Sequence, residues 1–181
     1  MKKVNDMKDI LDVIVSRRSV RKFKPDMVDK QLIEKVVKAG SFAPSGMNRQ
    51  SPIILAVTNK KLRDELSVQC AKHRVMTYGT DPFYGAPVVL VVLADKRINT
   101  ATYDGSCVMQ NMLLEAYSLG LGACWVHHCW QVFESEYGKN LLKSLGIEGE
   151  YEGVGHCILG YPEEMPTIAL ERKSNYVYYI D

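Results

Sequence analysis

The run of residues 88–94 is the feature of this sequence that most constrains its fold. All seven residues of the run, VVLVVLA, are apolar, and four of them are valine. Because the side chains of a β-strand alternate between the two faces of its sheet, a strand that is apolar on both faces must be covered on both. The run therefore predicts a strand in the middle of a sheet that carries other elements on each face.

Apolar spacing elsewhere in the chain predicts two further strands and five helices. Residues 53–58 are predicted to form a buried strand, and residues 153–159 a third strand. Helical spacing of apolar side chains occurs in five segments, which are residues 7–16, 29–40, a segment from about residue 60, 101–119 and 134–145.

Capping residues are expected at several of these helix ends. Asn5 or Asp6 is predicted to cap the first helix, and Asp29 the second. Glycine often follows the last residue of a helix because it adopts the left-handed conformation at low cost. The glycines expected to end helices are Gly40 for the second, and Gly120 and Gly122 for the fourth.

The order of the predicted elements, α-α-β-α-β-α-α-β, favours an α+β fold with helices on both faces of the sheet. Strands and helices do not alternate as they would in a doubly wound fold. The chain of 181 residues has the length of one domain, and it contains no internal repeat or linker. A single domain over residues 1–181 is therefore predicted.

Composition and charge exclude several classes of protein. Lys and Arg number 23 against 21 Asp and Glu, so the net charge of +2 gives no argument for nucleic acid or an anionic membrane. The first residues lack the features of a signal peptide, and no apolar run reaches the ~20 residues of a membrane span, so a cytoplasmic protein is predicted. Five cysteines without CxxC spacing are expected to be reduced and mostly buried.

Two polar segments are candidates for ligand binding. Residues 17–24, RRSVRKFK, contain five cations and a hydroxyl, which suit a phosphate if a helical turn gathers them on one side. Residues 43–52, APSGMNRQSP, offer two side-chain amides that can bind the edge of a planar heterocycle. Taken singly, the first segment is equally well a solvated basic turn, and the second is an ordinary loop.

The ordered combination of RRSVRKF, a helix, APSGMNRQSP, LGLGACW and GYP with a basic tail resembles the nitroreductase family of FMN-dependent oxidoreductases. The resemblance runs from about residue 13 to residue 172. It implies a three-layer α/β/α sandwich with a mostly antiparallel central sheet and an intertwined homodimer. It also implies that FMN lies in a cleft at the dimer interface, so that each site uses both subunits.

The same resemblance implies three groups of cofactor-binding residues and a basic residue in the tail. The first group, near the phosphate, the ribityl chain and the N1/O2 side of the flavin, is Arg17, Arg18, Ser19 and Arg21. The second group, from the other subunit, is Pro44, Ser45, Gly46 and Asn48, with Gln50 a looser match. The third group, beside the isoalloxazine, is Gly122, Ala123 and Cys124, and the basic residue near the phosphate is Arg172, with Lys173 as its possible substitute.

The implied activity is ping-pong hydride transfer from NADH or NADPH through flavin N5 to nitroaromatics, quinones or similar small acceptors. Arg21 is expected to stabilise the negative charge of the reduced ring, and His127 or its neighbour His128 to donate a proton to the acceptor. Residues 72–87 are the candidate cover of the cleft, with Tyr78, Phe83 and Tyr84 offering aromatic surface.

Other functions remain open at this stage. The alternative is a non-catalytic flavin- or ligand-binding module. A small nucleic-acid binder that uses the basic segment is disfavoured by the near-neutral total charge. A zinc or copper site in the segment CWVHHCW is also disfavoured, because a structural zinc normally draws on two separated ligand pairs and no second pair is present. No metal is expected.

Overall fold

The computed structural model describes residues 9–73 and 81–180. Within these residues there are six α-helices, one short 3-10 helix and four strands. The helices are α1 Ile10–Ser16, α2 Lys30–Ser41, α3 Lys60–Ala71, α4 Ala101–Ser118, α5 Cys129–Glu134 and α6 Glu136–Ser144, and the 3-10 helix is Gly46–Asn48. The strands are β1 Pro52–Val57, β2 Val88–Asp95, β3 Gly122–Val126 and β4 Tyr151–Gly160.

Strand β2 lies in the middle of the sheet, as its apolar sequence predicts. The order is β1-β2-β4-β3, and every neighbouring pair is antiparallel. Leu90 and Val92 point to one face, and Val89 and Val91 to the other, all of them fully buried. Each such side chain contributes roughly 1.5–3 kcal/mol through its burial, so this strand organises both cores.

Helices cover both faces of the sheet. On one face α2 and α4 pack through residues such as Val36 and Met112. On the other face α3, α5 and α6 pack through Leu66, Val132 and Leu142. The α+β class and the antiparallel sheet with helices on both faces are therefore confirmed.

The predicted ends of the first two helices need correction. Helix α1 begins at Ile10 and is capped by Asp9, while Asn5 and Asp6 lie outside the described residues. Asp29 caps α2 as predicted, by accepting a hydrogen bond from the Gln31 N–H at 2.8 Å. Gly40 lies inside α2, which ends at Ser41, so it does not end the helix. A Cβ at this position would stand 2.7 Å from Cγ of Met112, so the glycine allows α2 and α4 to pack closely.

Strand β1 occupies an edge of the sheet, and the prediction of a buried strand is wrong in that respect. Most of its residues are only half-buried, and only Val57 is fully buried. Within the described sheet, β1 pairs with β2 on one side and with no strand on the other. A five-residue apolar run does not distinguish an edge strand from a central one.

Strand β3 and helix α5 were not predicted from the sequence. Gly122 is the first residue of β3, and a Cβ there would lie 2.9 Å from Val20, so it does not close α4. Gly120, with φ of +76°, follows α4 as predicted. The predicted helix 134–145 corresponds to α6. Ser135 caps α6 and separates this helix from α5.

Phe83 is wholly buried and therefore offers no aromatic surface to a substrate, whereas Tyr78 lies outside the described residues. Four of the five cysteines are buried and Cys107 is half-buried, and none of them forms a disulfide within the described part of the chain. Among the described residues, none of the helices has the length and hydropathy needed to cross a bilayer.

Candidate functional site

The basic segment after α1 is extended and packs along strand β3. Ser19 forms an isolated parallel bridge with Ala123, and the Val20 N–H donates to the Ala123 carbonyl at 3.0 Å. Val20 is buried and anchors the segment. The expected helical turn is absent from residues 17–21, where the chain instead bridges β3 at Ser19.

The three arginines of this segment have different surroundings. Arg18 donates to the carbonyl oxygens of Val15, Arg17 and Ile168 at 2.8, 2.7 and 3.1 Å, and so ties the C-terminal tail to α1. Within residues 9–73 and 81–180, the guanidinium groups of Arg17 and Arg21 make neither a hydrogen bond nor an ion pair. Two guanidinium groups therefore remain available for an anion.

Gly122, Ala123 and Cys124 form the start of β3, directly beside the basic segment. Gly122 and Ala123 contact it through their backbone. The Cys124 thiol is buried in the core, so any ligand at this strand would meet Cys124 through its backbone. The structure thus brings together the first and third predicted groups of cofactor-binding residues.

Arg17 also lies close enough to strand β4 to act on a buried thiol there. Burial, together with the neighbouring Cys124, raises the pKa of Cys157 to about 12, and the positive charge of Arg17 partly opposes this rise. The thiol therefore stays protonated at neutral pH. Arg17 is half-buried.

The second predicted group lies in the loop before β1. Met47, Asn48 and Gln50 have φ values of +54°, +52° and +51°, which are uncommon for residues with a side chain. The Gln50 N–H donates to the Ser45 hydroxyl at 2.9 Å, and the Gln50 amide donates to Asn48 Oδ1 at 3.4 Å. The side chains of Asn48 and Gln50 are exposed and turned to the surface.

Asp104 was missed by sequence reasoning, although it holds this loop. It is buried in the first turn of α4 and accepts hydrogen bonds from Gly46, Ser51 and Thr100. Burial alone would raise the pKa of the Asp104 carboxyl, but these three hydrogen bonds lower it below its ordinary value. A carboxylate inside an apolar helix face was the only signal in the sequence.

The loop and the basic segment lie at opposite corners of the sheet. Ala123 is in register with Leu159 and Val88, whereas Pro52, which follows the loop, pairs with Ala94. Six residues along the strands and three strand spacings across them separate the corners by roughly 25 Å. Within one chain, the first and second groups of predicted residues are therefore far apart.

The Cys and His residues of CWVHHCW do not converge. His127 is exposed at the end of β3, and Cys129 is buried in α5, where burial raises the pKa of its thiol. No cluster of three or more Cys, His, Asp or Glu side chains able to hold a metal is found in the described part of the chain.

Arg172 lies in the tail that follows β4. It is exposed, and it makes no hydrogen bond with another described residue. This tail runs along the basic segment, since Phe23 forms an isolated bridge with Pro162 and Arg18 donates to the Ile168 carbonyl.

Comparison with known proteins agrees with this architecture. The sequence profile described as the nitroreductase family matches residues 14–161. A protein of Methanothermobacter thermautotrophicus that is named as an NADH dehydrogenase/NAD(P)H nitroreductase is 33% identical over 169 residues, which are 91% of this chain and 82% of that protein.

Two solved structures share the fold over nearly their whole length. The nitroreductase with bound FMN from Bacteroides fragilis superposes with a TM-score of 0.86 at 25% identity, over 96% of this chain and 100% of the other. The nitroreductase with bound FMN from Desulfitobacterium hafniense gives 0.84 at 28% identity, over 97% and 100%.

The chain belongs to the nitroreductase family. The expectation of an oxidoreductase of this family is confirmed.

Proposed function

We propose that the protein binds FMN and uses NADH or NADPH to reduce nitroaromatics, quinones or similar small electron acceptors. The observation that carries this proposal is the pair of guanidinium groups, Arg17 and Arg21, whose donors are unused beside the start of β3. Two solved relatives contain FMN, and another relative is named for NAD(P)H.

The donors present fit the phosphate end of FMN. Guanidinium groups bind phosphate through paired, charge-assisted hydrogen bonds, which are stronger than those between neutral groups. Arg18 commits its Nε and Nη1 atoms to carbonyl oxygens and keeps Nη2. Arg172 is four residues beyond Ile168, so it is able to lie within about 14 Å of that contact and to approach the same phosphate.

Bound FMN supplies two-electron transfer between the nicotinamide and the acceptor. Arg21 is exposed and has no acidic partner among the described residues, so its charge is free to stabilise negative charge on the ring. His127 is exposed at the opposite end of β3 from Gly122, and in this proposal it gives a proton to the acceptor.

The active form in this proposal is a homodimer, because the site needs two corners that one chain holds roughly 25 Å apart. Exposed apolar surface supports a second copy as the partner. In α1, Ile10 is 72% exposed, and in the tail Leu170 is 83% and Ile180 is 95% exposed. In this proposal the second copy covers these side chains.

The test starts from the visible spectrum of the purified protein and from anaerobic addition of NADH or NADPH. A flavin spectrum that bleaches supports the oxidoreductase. A flavin that is retained but never bleached favours the alternative, a non-catalytic flavin-binding module. A protein that stays colourless after FMN is supplied, and that sediments as one chain, contradicts the proposal.

Variants separate the roles of the arginines. Arg21→Ala should slow flavin reduction, whereas Arg18→Ala should mainly weaken FMN retention. Lys22→Ala removes an adjacent exposed charge and serves as the matched control for both. Equal retention and equal reduction rates in all three variants would contradict the assignment.

The role of His127 is tested separately through the pH dependence of acceptor reduction. His127→Gln should flatten the rate profile between about pH 5 and 8. A profile that is already flat in the wild-type protein rejects the histidine as proton donor.

A further inference from the structure

Asp104 is a buried carboxylate that joins helix α4 to both ends of the loop 45–51. It is only 4% exposed. Its Oδ1 accepts the Gly46 N–H at 2.9 Å, and its Oδ2 accepts the hydroxyls of Ser51 and Thr100, each at 2.9 Å. Three donors therefore converge on one charge that is shielded from water.

The loop has a backbone that needs such support. Met47, Asn48 and Gln50 all adopt left-handed φ values, which side chains with a Cβ disfavour. Residues in sparsely populated conformations persist only where the surrounding structure over-determines them. Inside the loop, the Asn48 N–H donates to the Ser45 carbonyl at 3.0 Å, but this bond alone does not attach the loop to the rest of the protein.

Gly46 fits tightly against the start of α4. A Cβ at Gly46 would lie 2.5 Å from the Thr100 hydroxyl oxygen. The loop backbone thus contacts the residue that also donates to Asp104. The close packing of Gly46 against Thr100 and the hydrogen bonds of both residues to Asp104 therefore hold the same part of the loop.

We propose that Asp104 is a positioning residue, which holds the loop 45–51 so that the side chains of Asn48 and Gln50 are presented to the flavin. Asp104 does not touch the cofactor, because Gly46, Ser51 and Thr100 surround it. The inference rests on the proposed function, in which this loop contacts FMN bound mainly by the other subunit.

The test compares Asp104→Asn with a matched control, Glu134→Gln. Glu134 is also a carboxylate that joins two segments of the chain, since it lies in α5, is half-buried and accepts a hydrogen bond from Lys96 Nζ at 3.2 Å. Helix α5 packs on the opposite face of the sheet from α4. Both substitutions remove one buried or half-buried negative charge.

Two measurements are made on each variant. The first is amide hydrogen exchange at Gly46, Asn48 and Gln50, which should accelerate about tenfold or more in Asp104→Asn because charge-assisted hydrogen bonds are lost. The second is the dissociation constant for FMN, which should rise about tenfold in the same variant. Glu134→Gln should change both quantities less than about twofold, because its charge lies on the opposite face of the sheet.

Ser51→Ala keeps the test decisive if Asp104→Asn does not fold. It removes one of the three donors, leaves the carboxylate in place, and should change both measurements in the same direction by a smaller factor. The inference is overturned if loop exchange is unchanged in a folded variant, or if exchange accelerates while the affinity for FMN stays the same.

The outcome for wild-type protein separates this inference from the proposed function. Wild-type protein that binds no FMN overturns the proposed function and the cofactor part of this inference together. Wild-type protein that binds FMN, with Asp104→Asn indistinguishable from Glu134→Gln, overturns only the positioning role.

Discussion

His156 makes the stability of this protein depend on pH in a range where carboxyl groups contribute little. Its ring lies on β4, wholly buried, with its centroid 5.1 Å from that of Phe83. Burial, the main cause, lowers the pKa of His156 to about 4, and the charges of His128 and His127 lower it further. Backbone groups of His127 and Val126 offset part of this effect.

The sign follows from the proton balance. In the unfolded chain a histidine has a pKa of about 6.5, so between about pH 6.5 and 4 the unfolded state binds the extra proton. Above about pH 6.5 the burial of neutral His156 takes nothing from the free energy of unfolding. As the pH falls through this window, the free energy of unfolding decreases. At 1.36 kcal/mol per pKa unit, the full loss is about 3 kcal/mol, of which about 2 kcal/mol is reached by pH 5.

Urea unfolding at about pH 7.5 and pH 5 measures this loss. Wild-type protein should lose about 2 kcal/mol of unfolding free energy through this residue, and His156→Leu, which cannot take up a proton, should lose that much less. His73→Gln changes an exposed histidine and should behave as wild type. If His156→Leu shows the same loss as wild type, the reasoning from burial is refuted.

Three further substitutions or labelling experiments test the packing and the buried charges. Gly153→Ala should lower the free energy of unfolding by about 3 kcal/mol, because its Cβ would collide with the Cys129 carbonyl. Gly120→Ala, in open space at positive φ, should lower it by about 1 kcal/mol. Thermal unfolding compares the two variants, and equal losses contradict the collision. Burial opposes ionisation of Asp81, but its hydrogen bonds lower its pKa. The ionised carboxylate therefore stabilises the fold above about pH 4, and this contribution is lost below. Asp81→Asn should make acid unfolding, followed by circular dichroism, less steep. Iodoacetamide should modify half-buried Cys107 before Cys129, whose pKa burial raises, and mass spectrometry showing the reverse order would reject this.

Sequence reasoning succeeded where one local pattern determined the outcome. The apolar residues of β2 require cover on both faces, and the structure supplies it. Asp29 caps α2 because a short acceptor side chain before an amphipathic segment satisfies free N–H groups whatever the rest of the fold. Gly120 ends α4 for a comparably local reason, its positive φ.

The failures share a different cause. Gly40 and Gly122 have the sequence signature of helix ends, but their missing Cβ atoms make room for Met112 and Val20, which are distant in the chain. Asp104 looks like an ordinary residue of an apolar helix until the loop before β1 folds onto it. No local pattern contains that information.

By itself, therefore, the sequence determined the central strand, most of the helices and the grouping of cations after α1, because short-range spacing and composition govern these features. Only the tertiary structure decided that Ser19 lies beside Ala123 while Asn48 lies at the far corner of the sheet. The physical reason is that strand order and register set such distances, and these depend on contacts between segments far apart in the chain.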